Sequence, residues 1–250
     1  MECFIVDESD IDRELKKLVL RDEEARHAIR VLRIREGEEI IATSLKGSCF
    51  LLSLDRSEQV SKNEWIAHCS IEKILSEHNE PHIDVQLIQG ITQQQSKLEE
   101  IVEKITELGI SSIIPIYSKR TEKKTVNRER LDRILRTACK QSSRARGPKL
   151  YDAMSFEAAL EKAHSEGRKV IVLHESAPLE NSLMRSLPKE RNKKITLVIG
   201  PEGGFDEEEV LFASSKYHAA IASLGPRRLR AETAAITAVA ITMSVDNPIG

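Results

Sequence analysis

Two glycine-rich segments near the C-terminus most constrain the fold of this chain: residues 200–205, with the sequence GPEGGF, and residues 224–234, with the sequence LGPRRLRAETA. Each follows an apolar run and opens a helical pattern, which predicts two strand-turn-helix units. In open α/β proteins, ligands bind where loops leave the carboxyl ends of strands, and glycine lets the backbone approach a ligand closely. The two segments are therefore expected to line one pocket.

The composition is typical of a folded globular protein, with 250 residues of which 40% are hydrophobic and 31% charged. No apolar stretch reaches the length of a membrane span, and the acidic start MECFIVDESD lacks the basic and apolar regions of a secretory signal. We expect a cytoplasmic protein with no membrane partner. The four cysteines and seven histidines are scattered without metal-ligand spacing, which predicts reduced, mostly buried cysteines and no metal site.

Positive charge is concentrated in residues 119–149, which hold twelve Lys or Arg and three acidic residues although the net charge of the chain is −2. Such a block is typical of a surface that binds phosphate backbones. A charge run is also commonly a solvated helix face. Because acidic partners at i, i+4 are mostly missing from the segment, nucleic acid is the favoured interpretation.

The chain has two parts with different patterns. Residues 1–75 contain short apolar runs broken by turn residues, which predicts a small β-rich domain with one helical stretch at residues 23–32. A linker at residues 76–82 leads into alternating strand and helix patterns, the signature of an α/β domain over residues 76–250. Its strand candidates are residues 83–89, 113–117, 170–174, 195–199 and 219–224. Helix signals are Gly109 as a stop, Asn127 as a cap, Ser155 as a start and Gly167 as an end.

The last helical pattern, residues 231–245, has hardly any polar face. A helix that is apolar all round must be buried, either within one monomer or by a partner subunit. The sequence supports both interpretations equally, and a homodimer is the one we carry forward.

The residues that flank the glycine segments indicate what the pocket holds. Asp206 and the three glutamates that follow it begin a helix, where they would repel a phosphate from the helix N-terminus. Neither a P-loop nor a dinucleotide-binding pattern is present, so a cationic or neutral cofactor fits better. Glu202 is either a solvent-facing turn residue or a residue that orders the loop or contacts a ligand. The arginines of the second segment are either solvent caps or contacts to an anion or a base, and the second interpretation is favoured for Arg230.

The paired segments closely resemble the signature of the RsmE family, SPOUT-class methyltransferases that act on a uridine N3 in small-subunit ribosomal RNA. The likeness extends to SKLEEIVEKITELGISSIIPIYSKRT at residues 96–121, QSSRARGP at residues 141–148 and HAIRVLR at residues 27–33. It implies an α/β chain whose C-terminal SPOUT-type methyltransferase domain, residues 76–250, holds a trefoil knot, and whose residues 1–75 form a PUA-like RNA-binding β-barrel. Periodicity does not predict the knot, which general rules of chain topology disfavour.

The resemblance also implies S-adenosylmethionine as the cofactor, a homodimer, and 16S ribosomal RNA, within the small ribosomal subunit, as the partner. The sulfonium charge of this cofactor agrees with the acidic helix start. The cofactor-binding residues would be Leu173, His174, Glu175, Ile199, Gly200, Pro201, Gly203, Gly204, Leu224, Gly225, Leu229, Arg230 and Thr233. The RNA-binding residues would be Arg26, His27, Arg30, Arg33, Lys119, Arg120, Arg144, Arg146 and Arg227.

Methylation of N3 requires a weakly acidic imide to lose its proton, so the site must favour negative charge on the flanking carbonyl oxygens. Arg230 is the expected catalytic donor, with Arg144 and Arg146, from the same or the partner subunit, on phosphate or base. The proton acceptor is left open between Glu202 and water. A non-catalytic ribosomal RNA-binding protein and a ribose 2′-O-methyltransferase remain as alternatives.

Four positions depart from the family pattern. Ser143, Ala145 and Gly147 stand in the basic loop where the family commonly has glycine, asparagine and a branched aliphatic residue, and Arg228 stands where an aliphatic residue is common. These departures concern the contacts to the substrate rather than the fold or the cofactor.

Overall fold

The structure, a computed structural model, describes residues 2–61, 64–122, 125–188 and 194–245. The chain divides into an N-terminal unit, Met1–Glu80 with Arg136–Gly147, and a C-terminal unit, Pro81–Leu135 with Pro148–Gly250. The boundary expected between residues 75 and 76 stays a prediction.

The N-terminal unit is built on a six-stranded sheet with the order β1-β4-β5-β6-β3-β2. The strands are β1 (Cys3–Ile5), β2 (Ile11–Asp12), β3 (Lys17–Arg21), β4 (Glu39–Thr43), β5 (Ser48–Gln59) and β6 (Trp65–Ser76). All neighbours are antiparallel except β1 and β4. Register shifts in the pairing of β5 with β6 bend these long strands, so that their alternate apolar residues enclose a core around Phe4 and Phe50.

The helical stretch predicted at residues 23–32 is confirmed, but it is not a uniform α-helix. Helix α1 (Asp22–Arg26) runs directly into a π-helical turn at His27–Val31. Ala25 and Ala28 are buried, whereas the arginines of this segment face outward. π-turns are rare in proteins, and those that occur often lie at functional sites.

The C-terminal unit is built on a seven-stranded sheet with the order β10-β8-β7-β12-β11-β13, and β9 pairs with β8. The strands are β7 (Asp84–Gly90), β8 (Ser112–Tyr117), β9 (Lys149–Leu150), β10 (Met154–Ser155), β11 (Lys169–Leu173), β12 (Lys194–Ile199) and β13 (Ala220–Ala222). Every pairing in this sheet is parallel. The carboxyl ends of its strands therefore meet at one edge, where ligands bind in open α/β sheets.

The helices of the rest of the chain are α2 (Gln95–Glu107), α3 (Arg128–Gln141), α4 (Phe156–Ser165), α5 (Leu183–Ser186), α6 (Glu207–Tyr217) and α7 (Ala231–Ser244). The predicted helix signals are confirmed: the side chains of Asn127 and Ser155 accept backbone N–H groups of α3 and α4. Gly109 follows the C-terminus of α2 with φ of +100°, a conformation that side chains disfavour.

Helix α7 is buried along only part of its surface. It packs against α2, α5, β7 and β12, and Ala235, Ala238 and Val239 are fully buried there. Ile236 and Ile241 are half-buried. The apolar pattern is thus partly explained within one monomer.

The four cysteines are unpaired and buried, as predicted. Burial raises the pKa of the Cys3 and Cys69 thiols to about 12 and that of Cys139 to about 11. These thiols are neutral at physiological pH and are therefore poor nucleophiles. Among the residues placed by the structure, no helix has the length and apolar character needed to cross a membrane.

Candidate functional site

Three loops meet at the carboxyl edge of the C-terminal sheet. They follow β11, β12 and β13, which are adjacent in the sheet order β12-β11-β13. The His174 backbone N–H donates to Ala222 O at 3.1 Å, and a ring nitrogen of His174 lies 3.4 Å from Phe205 O. The two glycine segments are therefore brought together with the loop at His174, which carries the predicted cofactor-binding residues Leu173, His174 and Glu175.

The first glycine loop, residues 200–205, is shaped by close backbone packing. Gly204 has φ of +68°, and its N–H donates to Pro201 O at 2.8 Å. A Cβ on Gly90, at the end of β7, would lie 2.3 Å from Pro201 N, and one on Gly200 would lie 3.0 Å from Gly204 C. Gly90 therefore admits no side chain while this loop keeps its conformation. Gly90 is not among the residues predicted from the sequence, although it directly follows the strand predicted at residues 83–89.

Glu202 orders this loop. The Gln93 backbone N–H, in the loop after β7, donates to both carboxylate oxygens of Glu202 at 3.1 Å. Glu202 is exposed, as expected of a solvent-facing turn residue, and its hydrogen bonds to Gln93 also give it the predicted role of ordering the loop. A catalytic role for Glu202 stays a prediction.

Gln89 lies at the base of the same loop and is fully buried. Its Nε2 donates to Gly90 O at 3.0 Å and to Gly200 O at 3.4 Å. Its Oε1 has no hydrogen-bond partner among the residues that the structure describes. Buried acceptors are normally satisfied, so an oxygen without a donor at the base of this loop is unusual.

Negative charge surrounds the start of α6, as predicted. Asp206 caps the helix and forms a reciprocal capping box with Glu209. A backbone hydrogen bond from Glu209, and then the Lys119 ammonium, hold the pKa of Asp206 below its ordinary value. The carboxylate therefore stays ionised beside the first glycine loop, where it disfavours phosphate and favours a cation.

The second glycine loop, between β13 and α7, turns at Gly225, whose φ is +117°. Ser223 Oγ accepts from the Gly225 N–H at 3.0 Å, and Ser223 O accepts from the Leu183 N–H at 3.0 Å. Arg230 is the N-cap residue of α7 and is exposed. Within the described ranges its guanidinium forms no ion pair, so its donors are available to an incoming group.

The other predicted residues of these loops differ in exposure. Arg228 Nε lies 3.6 Å from the Glu175 carboxylate, an exposed pair that links the second loop to the third. Half-buried positions are Leu173, His174, Gly204, Leu224 and Leu229; exposed positions are Glu175, Gly203, Gly225, Arg227 and Thr233; buried positions are Ile199, Gly200 and Pro201.

Four predicted RNA contacts lie on the helical segment of the N-terminal unit. Arg26, Arg30 and Arg33 are exposed, and His27 is half-buried with a ring nitrogen 2.7 Å from a Glu2 oxygen. The Arg30 guanidinium lies over the Trp65 ring, 5.6 Å from its centroid. This segment thus presents three arginines to solvent, one of which lies over the half-buried Trp65 ring of β6.

The structure does not support the prediction that Arg144 contacts RNA. Arg144 is 2% exposed, and its Nη2 lies 2.7 Å from the buried carboxylate of Glu80. The same carboxylate accepts the Arg146 backbone N–H at 2.8 Å. Arg144 is therefore used inside the N-terminal unit, whereas the exposed Arg146 guanidinium pairs with Glu77.

Acidic partners at i, i+4 are indeed few in the basic segment, where Arg128 with Asp132 is such a pair, but the inference that its charges are therefore unpaired is wrong. Lys119 pairs with Asp206 and Glu208, Arg128 with Asp132 and Asp152, Arg130 with Glu99, and Lys140 with Glu24. Most of these acids lie far away in sequence, so local spacing did not reveal them. Many of the cations that the structure describes in this segment are therefore paired with acids of the protein itself.

Comparison with known proteins gives consistent results. Residues 78–243 match the RNA methyltransferase domain family, and residues 20–56 match the RNA methyltransferase PUA domain family. The chain is 32% identical over 231 residues to the ribosomal RNA small subunit methyltransferase E of Bacillus subtilis, covering 87% of this chain and 86% of that protein. It is 30% identical to the Aquifex aeolicus protein of the same name, covering 91% and 94%.

Among solved structures, this chain is similar to a ribosomal RNA small subunit methyltransferase E from Neisseria gonorrhoeae bound to S-adenosyl methionine. The TM-score is 0.80 at 26% sequence identity, with 98% of each chain covered. The likeness therefore extends over both units.

Proposed function

This chain belongs to the ribosomal RNA small subunit methyltransferase E family, and on that premise we propose that it methylates N3 of a uridine in 16S ribosomal RNA with S-adenosylmethionine. The observation that carries the proposal is the meeting of the three loops at one edge of the parallel sheet, with the Arg230 guanidinium at the start of α7 in no ion pair with the described residues. The choice of N3 as the methylated atom is the part of this proposal that goes beyond family membership.

The residues at this edge fit S-adenosylmethionine. Gly90 and Gly200, which have no side chain, allow the close backbone packing that a cofactor loop requires. Gln89 Oε1 is a buried acceptor without a partner in the described chain. Asp206 is an ionised carboxylate near the loop. When bound, the cofactor supplies a methyl group on a cationic sulfur. We propose that it is held by Leu173, His174, Glu175, Ile199, Gly200, Pro201, Gly203, Gly204, Leu224, Gly225, Leu229, Arg230 and Thr233.

Arg230 is the proposed catalytic residue. As the uridine N3 loses its proton, negative charge spreads onto the neighbouring carbonyl oxygens, and a positioned guanidinium stabilises it. Arg230 is the N-cap residue of α7, and α7 packs against other elements of the C-terminal unit, so the backbone that carries the Arg230 side chain is held in place. Because the Glu202 carboxylate already accepts the Gln93 N–H, we assign the N3 proton to water.

The N-terminal unit is the proposed RNA-binding part, a PUA-like barrel whose RNA surface includes Arg26, His27, Arg30 and Arg33. The exposure of the three arginines and the match to the RNA methyltransferase PUA domain family support this assignment. Base stacking on the Arg30 guanidinium, which the Trp65 ring supports from below, would add affinity without sequence preference. Further proposed contacts are Lys119, Arg120, Arg146 and Arg227.

We further propose a homodimer, a trefoil knot in the C-terminal unit, and a cytoplasmic location in which the substrate is the small ribosomal subunit. The half-buried apolar residues Ile236 and Ile241 on α7 support a partner subunit. The knot is proposed from the family membership, and the contacts of Ser223 with the backbone of Asn181 and Leu183 place the chain leaving β13 beside the segment before α5.

A two-step experiment tests this function. Calorimetric titration of the purified protein with S-adenosylmethionine is expected to give saturable binding, and methyl-labelled cofactor is expected to transfer its label to unmodified small subunits or 16S RNA. No cofactor binding would favour a non-catalytic RNA-binding protein. Label on a ribose 2′-oxygen would identify the other alternative.

A further inference from the structure

The turn after β8, residues 118–121, is tied to the first glycine loop through one buried carboxylate. Glu209 is 3% exposed; its Oε1 accepts the Lys119 backbone N–H at 2.9 Å, and its Oε2 accepts the Asp206 backbone N–H at 3.0 Å. A capping box requires only the second of these contacts. The first is additional, and it connects the exits of β8 and β12, which are separated in the sheet by β7.

Arg120 adds a second connection between the same two segments. Its Nη1 donates to Gly203 O at 2.9 Å, and its Cβ would lie 3.2 Å from a Cβ built on Gly203. The turn that carries Arg120 is closed on itself, because Thr121 Oγ1 accepts the Ser118 N–H at 2.9 Å and the Thr121 N–H donates to Ser118 O at 3.0 Å. The guanidinium therefore projects from a braced turn.

Arg120 binds a peptide oxygen of the loop itself, and Glu209 binds the peptide N–H of Asp206, directly after the loop. Hydrogen bonds that involve an ionised group are stronger than neutral ones, and a buried carboxylate that loses a donor is destabilised further. Gly203 and Gly204 have wide conformational freedom, so their loop needs outside contacts to keep one backbone conformation. Lys119 Nζ, 3.2 Å from Asp206 Oδ2, is a weaker exposed contact in the same group.

We infer that Glu209 and Arg120 are positioning residues that hold residues 200–205 in the conformation that binds the cofactor. The inference rests on the proposed function, in which this loop binds S-adenosylmethionine. It gives Arg120 a role inside the protein in addition to any contact with RNA. Neither side chain takes part in the methyl transfer itself.

The test compares Glu209→Gln with Glu208→Gln, its neighbour in the same helix turn. Glutamine has one acceptor oxygen, so Glu209→Gln loses one of the two backbone contacts, whereas the side chain of Glu208 is 84% exposed and pairs with Lys119 Nζ. We expect the Kd and KM for S-adenosylmethionine to rise about tenfold in Glu209→Gln, the ratio for one charged hydrogen bond. At saturating cofactor, kcat should stay within about twofold. Glu208→Gln should bind as the wild type does.

Arg120→Ala gives an independent readout if Glu209→Gln does not fold, which thermal melting would reveal. It should weaken cofactor binding measured without RNA, and Arg120→Lys should restore part of the affinity. Unchanged cofactor affinity in folded Glu209→Gln, or in Arg120→Ala if only that variant folds, would overturn the inference. A wild-type protein that fails to bind S-adenosylmethionine would instead overturn the proposed function, and this role with it.

Discussion

Lys97 Nζ, in the first turn of α2, lies 2.7 Å from the Glu232 carboxylate, in the first turn of α7. Glu232 is 7% exposed and follows Arg230 by two positions. Burial alone would raise the pKa of Glu232, but the Lys97 hydrogen bond and the nearby charges hold it below its ordinary value of 4.5. The ion pair therefore joins the two helices directly beside the proposed catalytic arginine.

Glu232→Gln is expected to lower the free energy of unfolding by about 1 to 2 kcal/mol at pH 7, because a buried charged hydrogen bond is lost. The folded-state pKa lies below the unfolded value, so the contribution is present above pH 4.5 and is lost as pH falls through the folded pKa. Denaturant unfolding at several pH values measures this contribution to the free energy of unfolding. The exposed pair of Glu107 with Lys104 supplies a control, since Glu107→Gln should change stability little. If the difference in the free energy of unfolding between the wild type and Glu232→Gln grew toward acid pH, the stabilising role of the ionised Glu232 would be contradicted.

Arg230→Ala is expected to lower kcat for methyl transfer by at least about 100-fold, the usual effect of removing a donor to developing negative charge. Cofactor affinity should change far less. Radiolabel transfer and calorimetry measure the two effects separately. Arg185→Ala removes an exposed arginine of α5 that donates to Glu180 O, and should leave both unchanged. Near-normal turnover in Arg230→Ala would remove this residue from catalysis.

Glu202→Gln separates a loop-ordering role from a general base. The amide retains one acceptor for the Gln93 N–H, so kcat should stay within about tenfold of the wild type and the pH-rate profile should keep its shape. Glu202→Ala, which lacks any acceptor, should weaken cofactor binding more. Loss of the acid limb of the profile in Glu202→Gln would assign the proton to this carboxylate instead.

Arg144→Met should destabilise the N-terminal unit by about 3 to 5 kcal/mol, because it leaves the buried Glu80 carboxylate without its cation. The double variant Glu80→Leu with Arg144→Met should recover much of that loss. Arg146→Met removes the exposed pair with Glu77 and should change the unfolding free energy by less than about 1 kcal/mol. Equal effects of Arg144→Met and Arg146→Met in chemical denaturation would show that Arg144 is not a structural residue.

The elements of the C-terminal unit were predictable because their signals are local. An apolar run, a glycine turn and a helical period lie next to each other in the chain, and side-chain caps such as Asn127 act within one turn. Parallel strands then place the loops at one edge without further information. The places of the two glycine segments follow from these rules, whereas the individual cofactor-binding residues were implied by the family resemblance and stay predictions.

The contacts that brace the site were not predictable in the same way. Lys97 with Glu232, Arg144 with Glu80, and Lys119 with Glu209 join residues that are distant in sequence, and only the strand order brings them together. The spacing of charges within residues 119–149 did not reveal the acidic partners, because most of them are distant in sequence. The π-turn at His27–Val31 also escaped the helical pattern, because it keeps nearly the same apolar spacing as an α-helix.

The most direct test is mass-spectrometric mapping of 16S ribosomal RNA that lacks the modification, before and after incubation with this protein and S-adenosylmethionine. We predict one new methyl group, on N3 of a single uridine, absent when Arg230→Ala replaces the wild type. A methyl group on a ribose 2′-oxygen or on another base atom, or no new methyl group at all, would contradict the proposed function.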